Sequence, residues 1–215
     1  ERGLAPRLAG RYDQASLVNA MQTALKAAGR TVPGYLSLLD DELSPTRTET
    51  ALFAMHCFWT GEVCLGDIDG VVGTRTGWRS GREIVEVRFD PKRLSMADLL
   101  KRARPCSNRA FVKAQHMDAA RAVFGDRVEQ GVQHRPSPKD DRYQLSHSSF
   151  ARLPMTLLQA QRVNADLGRR RDPQRWLSPR QLKLVRAMTG QPQHAWPRPT
   201  GDLRSDMRRL SRVGS

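Results

Sequence analysis

The spacing of apolar side chains divides the chain into helical and extended segments. Apolar residues recur every three or four positions over residues 14–28, which predicts an amphipathic helix that Gly29 ends. Residues 50–56 are instead almost continuously apolar, as in a buried strand, and residues 57–65 return to helical spacing. The chain is therefore expected to turn from a strand into a helix at Cys57.

Two more strands and another helix are predicted after this corner. Residues 71–78 and 84–90 are strand-like, and Arg79-Ser80-Gly81 between them is typical of a tight connection. Ser95 is placed as the N-cap of a helix that runs to about residue 104. The order strand, helix, strand, strand, helix predicts an α+β fold with a ferredoxin-like core, a two-layer α/β sandwich carrying additional helices at both ends.

Changes in composition divide the chain into four parts. We expect an N-terminal helical segment over residues 1–44 and the α+β domain over residues 45–150. Residues 151–190 show two helix starts and are assigned to C-terminal helices. The density of Pro, Gly, Ser and Arg over residues 191–215 predicts a flexible basic tail.

The charge of the chain raises the question of an anionic partner. The formal net charge is +14, and the pI is about 10.9. The arginines are spread along the whole chain, however, and aromatic residues make up only 6% of it. No RNA-binding, helix-turn-helix or zinc-finger pattern is present. Composition therefore disfavours nucleic acid as the main partner, although Arg169-Arg170-Arg171 is a local basic cluster.

The three cysteines cannot all pair within one chain, so at least one thiol is expected to be free. Neither their spacing nor that of the histidines resembles a metal site, and we predict no bound metal. No apolar run approaches the roughly 20 residues that a membrane span requires. The chain begins at Glu1 rather than at a methionine. Both a cytoplasmic and an exported bacterial protein stay open on this evidence.

Cys57 is the residue with the most pronounced chemical context. A cysteine at a helix N-terminus lies where unpaired N–H groups and the helix dipole favour the thiolate. Phe58 and Trp59 follow it directly and can form apolar walls beside the sulfur. This combination predicts a reactive thiol in an aromatic pocket.

The sequence around this corner resembles the peptide methionine sulfoxide reductase A family. That family has a Gly-Cys-Phe-Trp corner, a Gly-Val strand ending in Gly-Tyr, and a Glu-bearing strand that closes in Tyr/Phe-Asp-Pro. Here the corresponding segments are His-Cys-Phe-Trp-Thr-Gly-Glu at 56–62, Gly-Val-Val at 70–72, Thr-Arg-Thr-Gly-Trp at 74–78 and Glu-Ile-Val-Glu-Val-Arg-Phe-Asp-Pro at 83–91. The resemblance covers residues 50–104, about a quarter of the chain.

The resemblance implies a role for each residue that matches the family pattern. Cys57 would attack the sulfur of methionine-S-sulfoxide, free or in a protein, and Phe58 and Trp59 would hold its methyl group. Glu83 would protonate the departing oxygen, and Trp78 would line the pocket. The products would be methionine and a sulfenic acid on Cys57, which a second thiol must then resolve.

Three thiols are candidates for this second step. Cys106 ranks first, because it is expected on a loop after the second helix of the domain. An external thiol reductant, thioredoxin or similar, ranks second, and no bound cofactor is implied. Cys64 ranks last, because seven helical residues separate two Cα atoms by about 10 Å, beyond the roughly 4.4–6.8 Å of a disulfide.

The chain also departs from the family pattern. Four residues separate Trp78 from Glu83, where the family has a longer excursion with a tyrosine that helps hold the sulfoxide oxygen. The family's later Gly-Thr-Gln-Tyr-Arg segment is matched loosely by Gly-Val-Gln-His-Arg at 131–135, which places His134 as the substrate-binding residue. Tyr143 is an alternative. These departures weaken the expectation of full activity.

Two other functions are therefore kept open. The same fold could carry a thiol-based redox or metal-sensing module in which Cys57 and His56 meet another ligand. A basic nucleic-acid-binding protein is the second alternative. Turnover of methionine sulfoxide, alkylation of Cys57 and salt-sensitive binding to DNA separate the three hypotheses.

Overall fold

The computed structural model describes residues 13–43, 47–192 and 195–211. The α-helices of these residues are α1 (Gln14–Ala27), α2 (Gly34–Leu43), α3 (Phe58–Gly66), α4 (Met96–Ala103), α5 (Met117–Phe124), α6 (Tyr143–Ser146), α7 (Leu157–Gly168), α8 (Pro179–Met188) and α9 (Leu203–Ser211). The strands are β1 (Glu49–Ala54), β2 (Val71–Arg79), β3 (Arg82–Phe89), β4 (Arg109–Val112), β5 (Val128–Gln130) and β6 (Arg135–Pro136).

The strands form one sheet in the order β5-β4-β1-β3-β2-β6. Its neighbours are antiparallel except for the parallel pair of β4 and β5. The predicted tight connection joins β2 to β3 through Ser80 and Gly81, which have positive φ angles of 49° and 73°. A two-residue turn with φ positive at both positions matches the twist of an antiparallel hairpin.

The main core lies between one face of the sheet and three helices. Side chains of α3, α4 and α5 pack there against inward-facing residues of β1, β3 and β4, including Phe53, Val85 and Val87. A smaller cluster of Leu52, Ala54, Ile84 and Phe111 covers the opposite face. The predicted α+β class and its sandwich core with additional helices are confirmed.

A second core lies in the C-terminal part of the chain. It contains Leu184 of α8, Trp196, and Met207 and Leu210 of α9, all with less than a tenth of their surface exposed. Within the segment predicted as a flexible basic tail, Leu203–Ser211 form α9, and the flexibility of residues 191–215 stays a prediction. Predictions for residues 1–12, 44–46, 193–194 and 212–215 lie outside the described residues.

Helix α7 joins this C-terminal part to the sheet domain. The side-chain amide of Gln161 donates to the carbonyl of Gly66 at the end of α3, over 3.2 Å. Gly168 lies against Val63, so the two helices approach closely. Within the described ranges, no helix has the length and apolar character needed to cross a membrane.

Candidate active site

Cys57 occupies the N-cap position of α3, at the corner that the sequence predicts. Its backbone is extended, with φ −137° and ψ 115°, and its carbonyl accepts the first helical hydrogen bond from Gly61 over 3.0 Å. The side chain makes no capping hydrogen bond, is half-buried and forms no disulfide. The thiol is therefore free and lies at the positive end of a helix dipole.

Glu83 closes the same helix end from β3. Its Oε2 atom accepts a hydrogen bond of 2.7 Å from the backbone N–H of Phe58, the residue that follows Cys57. A second bond, from the Met55 N–H to the Glu83 carbonyl over 3.1 Å, joins the residues just before Cys57 to β3 as well. The carboxyl group of Glu83 and the residue with the free thiol thus lie at the same end of α3.

Three aromatic side chains of the predicted pocket lie together. The ring centroids of Phe58 and Trp59 are 5.9 Å apart, and those of Phe58 and Trp78 are 5.5 Å apart in an edge-on contact. Trp78 pairs directly with Glu83 across β2 and β3, so both side chains point to the face that α3 covers. Phe58, Trp59, Trp78 and Glu83 therefore lie together at the start of α3, next to Cys57, and their roles stay predictions.

Tyr143 joins this group from a distant part of the sequence. Its ring stacks on Trp59 with the centroids 4.0 Å apart and the planes at 19°, and the ring of His147 is also 4.0 Å from it. Sequence comparison named Tyr143 only as an alternative, because the residues around it match no family motif. Its position on Trp59 depends on the turn at Arg142, which the local sequence does not predict.

His134 lies elsewhere. Its Nε2 atom is 3.7 Å from Oε2 of Glu86, and a Cβ atom on Gly77 would lie 2.6 Å from its ring. Side chains alternate along a strand, so Glu86 shares the face of Ile84, opposite to the face of Glu83. The structure therefore places the expected substrate-binding His134 on the side of the sheet away from Cys57, and Arg135 is the residue that pairs with Trp78.

Cys106 is bonded to Cys64. The two residues form a disulfide with their Cα atoms 6.2 Å apart, joining α3 to the short turn after α4. The sequence ranks Cys106 first as the resolving thiol, but in the structure its sulfur is bonded to Cys64 and is not available as a thiol. Sequence reasoning compared each cysteine only with Cys57 and missed this pair, which requires knowing that α3 and the end of α4 are neighbours.

Glu62 is a buried carboxyl group that the sequence analysis did not single out. It is 1% exposed; its Oε1 accepts from the Thr74 hydroxyl over 3.1 Å, and its Oε2 accepts from the Arg142 N–H over 2.6 Å. Burial raises the pKa of Glu62 to about 7, opposed chiefly by the Arg142 hydrogen bond. The sequence could have indicated that Glu62 is buried, because it lies four residues after Phe58 and therefore on the same apolar side of the helix.

The donor atoms near Cys57 do not form a metal site. His56 is exposed, and among the residues that the structure describes no three His, Cys, Asp or Glu side chains are grouped to hold an ion. The arrangement at the start of α3 is instead a thiol, a carboxyl group and aromatic walls. Such a set suits attack by sulfur on an apolar substrate together with transfer of a proton.

Known proteins are similar to this region of the chain. A peptide methionine sulfoxide reductase of Methanococcus maripaludis (strain C7) is 34% identical over 25% of this chain and 45% of its own length. The enzymes of Methanothermobacter thermautotrophicus and Synechocystis are 36% and 35% identical, each over 26% of this chain and over 43% and 33% of their own lengths. The chain thus spans less than half the length of these relatives. No family model matches it. The comparisons support a relationship to methionine sulfoxide reductases of the A type over about a quarter of the chain.

Proposed function

We propose that this protein is a thiol-dependent reductase of methionine-S-sulfoxide, acting through Cys57. The observation that carries the proposal is the geometry at the start of α3, where Cys57, whose thiol is free, directly precedes the clustered rings of Phe58 and Trp59. The carboxyl group of Glu83 lies 2.7 Å from the next backbone nitrogen. The relatives named above, which share this part of the sequence, support the same chemistry.

In the proposed reaction the Cys57 thiolate attacks the sulfoxide sulfur while Glu83 gives a proton to the sulfoxide oxygen. One oxygen atom passes from the substrate to Cys57, so the products are a thioether and a sulfenic acid. The substrate sulfur gains two electrons and Cys57 loses two. The neutral acid of Glu83 can keep its hydrogen bond from Phe58, because a carboxylic acid retains an acceptor oxygen.

The aromatic residues would bind the substrate. Phe58 and Trp78 offer apolar surface to the methyl group, and Trp59 forms the wall on which Tyr143 stacks. We assign to Tyr143 the contact with the sulfoxide oxygen that tyrosines make in the family, because it is the tyrosine that the fold brings to this site. His134 is left out of this role, since it lies on the other face of the sheet.

An external thiol of the thioredoxin type would regenerate the enzyme. One thiol condenses with the sulfenic acid and releases water, and a second thiol displaces Cys57 from the mixed disulfide. Cys106 could condense with the sulfenic acid only after its disulfide bond to Cys64 has been reduced. The external route is therefore proposed as the main one.

Turnover of racemic methionine sulfoxide with dithiothreitol tests the proposal. The wild type should consume the S epimer and leave the R epimer, and Cys57→Ser should consume neither. Cys64→Ser/Cys106→Ser is the matched control, since it removes two other cysteines and should keep turnover. Absence of turnover by the wild type, or equal turnover by Cys57→Ser, would refute the proposal. Rapid alkylation of Cys57 without turnover would favour the redox-module alternative.

A further inference from the structure

Glu62 reaches across from α3 to a segment that is far away in sequence. The N–H that it accepts over 2.6 Å belongs to Arg142, eighty residues later in the chain. Arg142 has φ 53° and ψ 47°, a left-handed conformation that costs a residue with a side chain about 1 kcal/mol. A residue keeps such a conformation only when its surroundings hold it. Here the buried carboxyl group does so.

A second set of bonds holds the rest of this segment, the 137–142 loop, on β2. Oδ1 of Asp141 accepts from the backbone N–H of Thr76 over 2.8 Å and from its hydroxyl over 2.9 Å. Ser137 donates its own N–H to the Thr76 carbonyl over 2.9 Å. The 137–142 loop is therefore attached at its start and near its end to the edge of β2, and at Arg142 to Glu62.

Tyr143 follows Arg142 directly and begins α6. The backbone direction at Arg142 thus decides where the ring of Tyr143 lies. In the structure that ring is stacked 4.0 Å from Trp59, two residues after Cys57. One residue of backbone, Arg142, therefore links the Glu62 carboxyl group to the stacked rings of Tyr143 and Trp59.

We propose that Glu62 is a positioning residue of the Cys57 site: its carboxyl group fixes Arg142 and so holds Tyr143 against Trp59. The catalytic part of this inference rests on the proposed reductase function, whereas the structural part does not. Glu62 itself makes no contact with Cys57 in this account. It acts through the 137–142 loop.

The charged and polar groups near this carboxyl group act on its pKa. Asp141 and Arg142 face it from the loop, β2 contributes the Thr74 hydroxyl, and Arg162 of α7 is bonded to the carbonyl of Gly66 at the other end of α3. Burial raises the pKa of Glu62 to about 7, whereas the hydrogen bond from the Arg142 N–H lowers it, because this bond favours the carboxylate. The bond to Arg142 is therefore available in both protonation states of Glu62.

Substitutions at Glu62 test this directly by spectroscopy. The difference between the near-ultraviolet circular dichroism of wild type and Tyr143→Leu isolates the stacked pair from the other aromatic groups. Glu62→Ala should reproduce the Tyr143→Leu spectrum. Glu62→Gln can accept from Arg142 and donate to Thr74, so it should keep the stack. An intact stack in Glu62→Ala would overturn the proposal.

Glu42→Gln is the matched control. Glu42 also accepts a backbone N–H at a helix start, that of Leu158 over 2.8 Å, but it contacts α7 rather than the 137–142 loop. Its substitution should leave the stacking signal unchanged. If Glu62→Ala fails to fold, Glu62→Asp decides, because its side chain is one methylene shorter and withdraws the carboxyl group from the Arg142 N–H. An intact stack in Glu62→Asp would then contradict the proposal.

Turnover provides a second readout through a double-mutant cycle. Glu62→Ala should lower kcat/KM for methionine-S-sulfoxide by about tenfold, and Tyr143→Leu should lower it at least as much. Because Glu62 acts through Tyr143, the double variant should be no worse than Tyr143→Leu. Additive losses would show that Glu62 acts by another route. If the wild type has no turnover, the reductase function fails, while the spectroscopic result still decides the role of Glu62.

Discussion

Among single residues, Glu83 combines a structural contact with a proposed chemical one. Its carboxyl group accepts the N–H of Phe58 at the start of α3, and Glu83 pairs with Trp78 across β2 and β3. The structural contact needs only an acceptor oxygen, whereas the proposed chemical role needs a group that can give up a proton. Two substitutions can therefore separate the roles.

Glu83→Gln should keep the fold and lose most of the activity. The amide oxygen can still accept from Phe58, so the thermal midpoint should stay close to that of the wild type. The amide cannot act as an acid, so turnover should fall by about 100-fold or more. Glu83→Ala should lose the activity and also about 1 kcal/mol of unfolding free energy, because it leaves the helix end uncapped. Equal turnover of Glu83→Gln and wild type would remove Glu83 from the mechanism.

Glu62 should make the protein less stable as pH rises. Its pKa is about 7 in the folded state against 4.5 for the unperturbed group, so the folded state binds the proton more tightly. The free energy of unfolding is therefore highest below about pH 4.5, where Glu62 is protonated in both states. It falls by about 3 kcal/mol in all as pH rises through about 7, because the buried group then has to ionise. Urea unfolding of wild type and Glu62→Gln across this range measures the difference. Parallel pH profiles of the two proteins would contradict the expectation.

At the level of elements, α3 is held at both ends by different means. Glu83 and β3 hold its start, while the disulfide between Cys64 and Cys106 ties its last turn to the end of α4. The disulfide encloses a sequence separation of 42 residues, long enough for its closure to restrict the unfolded chain substantially. The cross-link thus stabilises the helix that carries Cys57.

Removal of this disulfide should lower stability without touching Cys57. For a loop of this length the loss is roughly 4 kcal/mol by chain entropy. Cys64→Ser/Cys106→Ser should show it in urea unfolding, and dithiothreitol should bring the wild type to the same midpoint. Cys57→Ser is the control and should unfold like the wild type, since Cys57 forms no bond. A wild-type midpoint that dithiothreitol leaves unchanged would speak against the cross-link.

Prediction of the elements from sequence succeeded where the signal was local. The strand-to-helix corner at Cys57, the β2–β3 hairpin and the Ser95 cap depend on residues within a few positions of one another. β4 was missed, because its Arg-Ala-Phe-Val run is too short to be distinguished from a loop until it is paired with β1. β6 was missed for the same reason, since its two residues are a strand only beside β2.

At the scale of the whole molecule, α7 connects the C-terminal core to the sheet domain. Val163 of α7 is buried in the C-terminal core, while Gln161 of the same helix is bonded to the carbonyl of Gly66 on α3. Substitutions that disrupt the C-terminal core should therefore also destabilise α3, the helix that begins after Cys57. Trp196 and α9 take part in this C-terminal core.

Leu210→Ala tests the role of this last segment. Leu210 is 1% exposed in the C-terminal core, so its truncation should cost about 2–5 kcal/mol. Urea unfolding followed by tryptophan fluorescence measures this loss. Leu157→Ala is the matched control, because Leu157 is 68% exposed and should change stability little. A flexible tail would predict no loss at Leu210 either.

Local order along the chain was enough to indicate the α+β class, the corner at Cys57 and its aromatic neighbours, because each depends on residues close in sequence. Tertiary structure alone decided three other features: Tyr143 on Trp59, Cys106 bonded to Cys64, and His134 on the opposite face of the sheet. Each of these joins or separates segments 40 or more residues apart. Such contacts depend on how the sheet and helices pack against each other, and this packing cannot be predicted from the local order of residues.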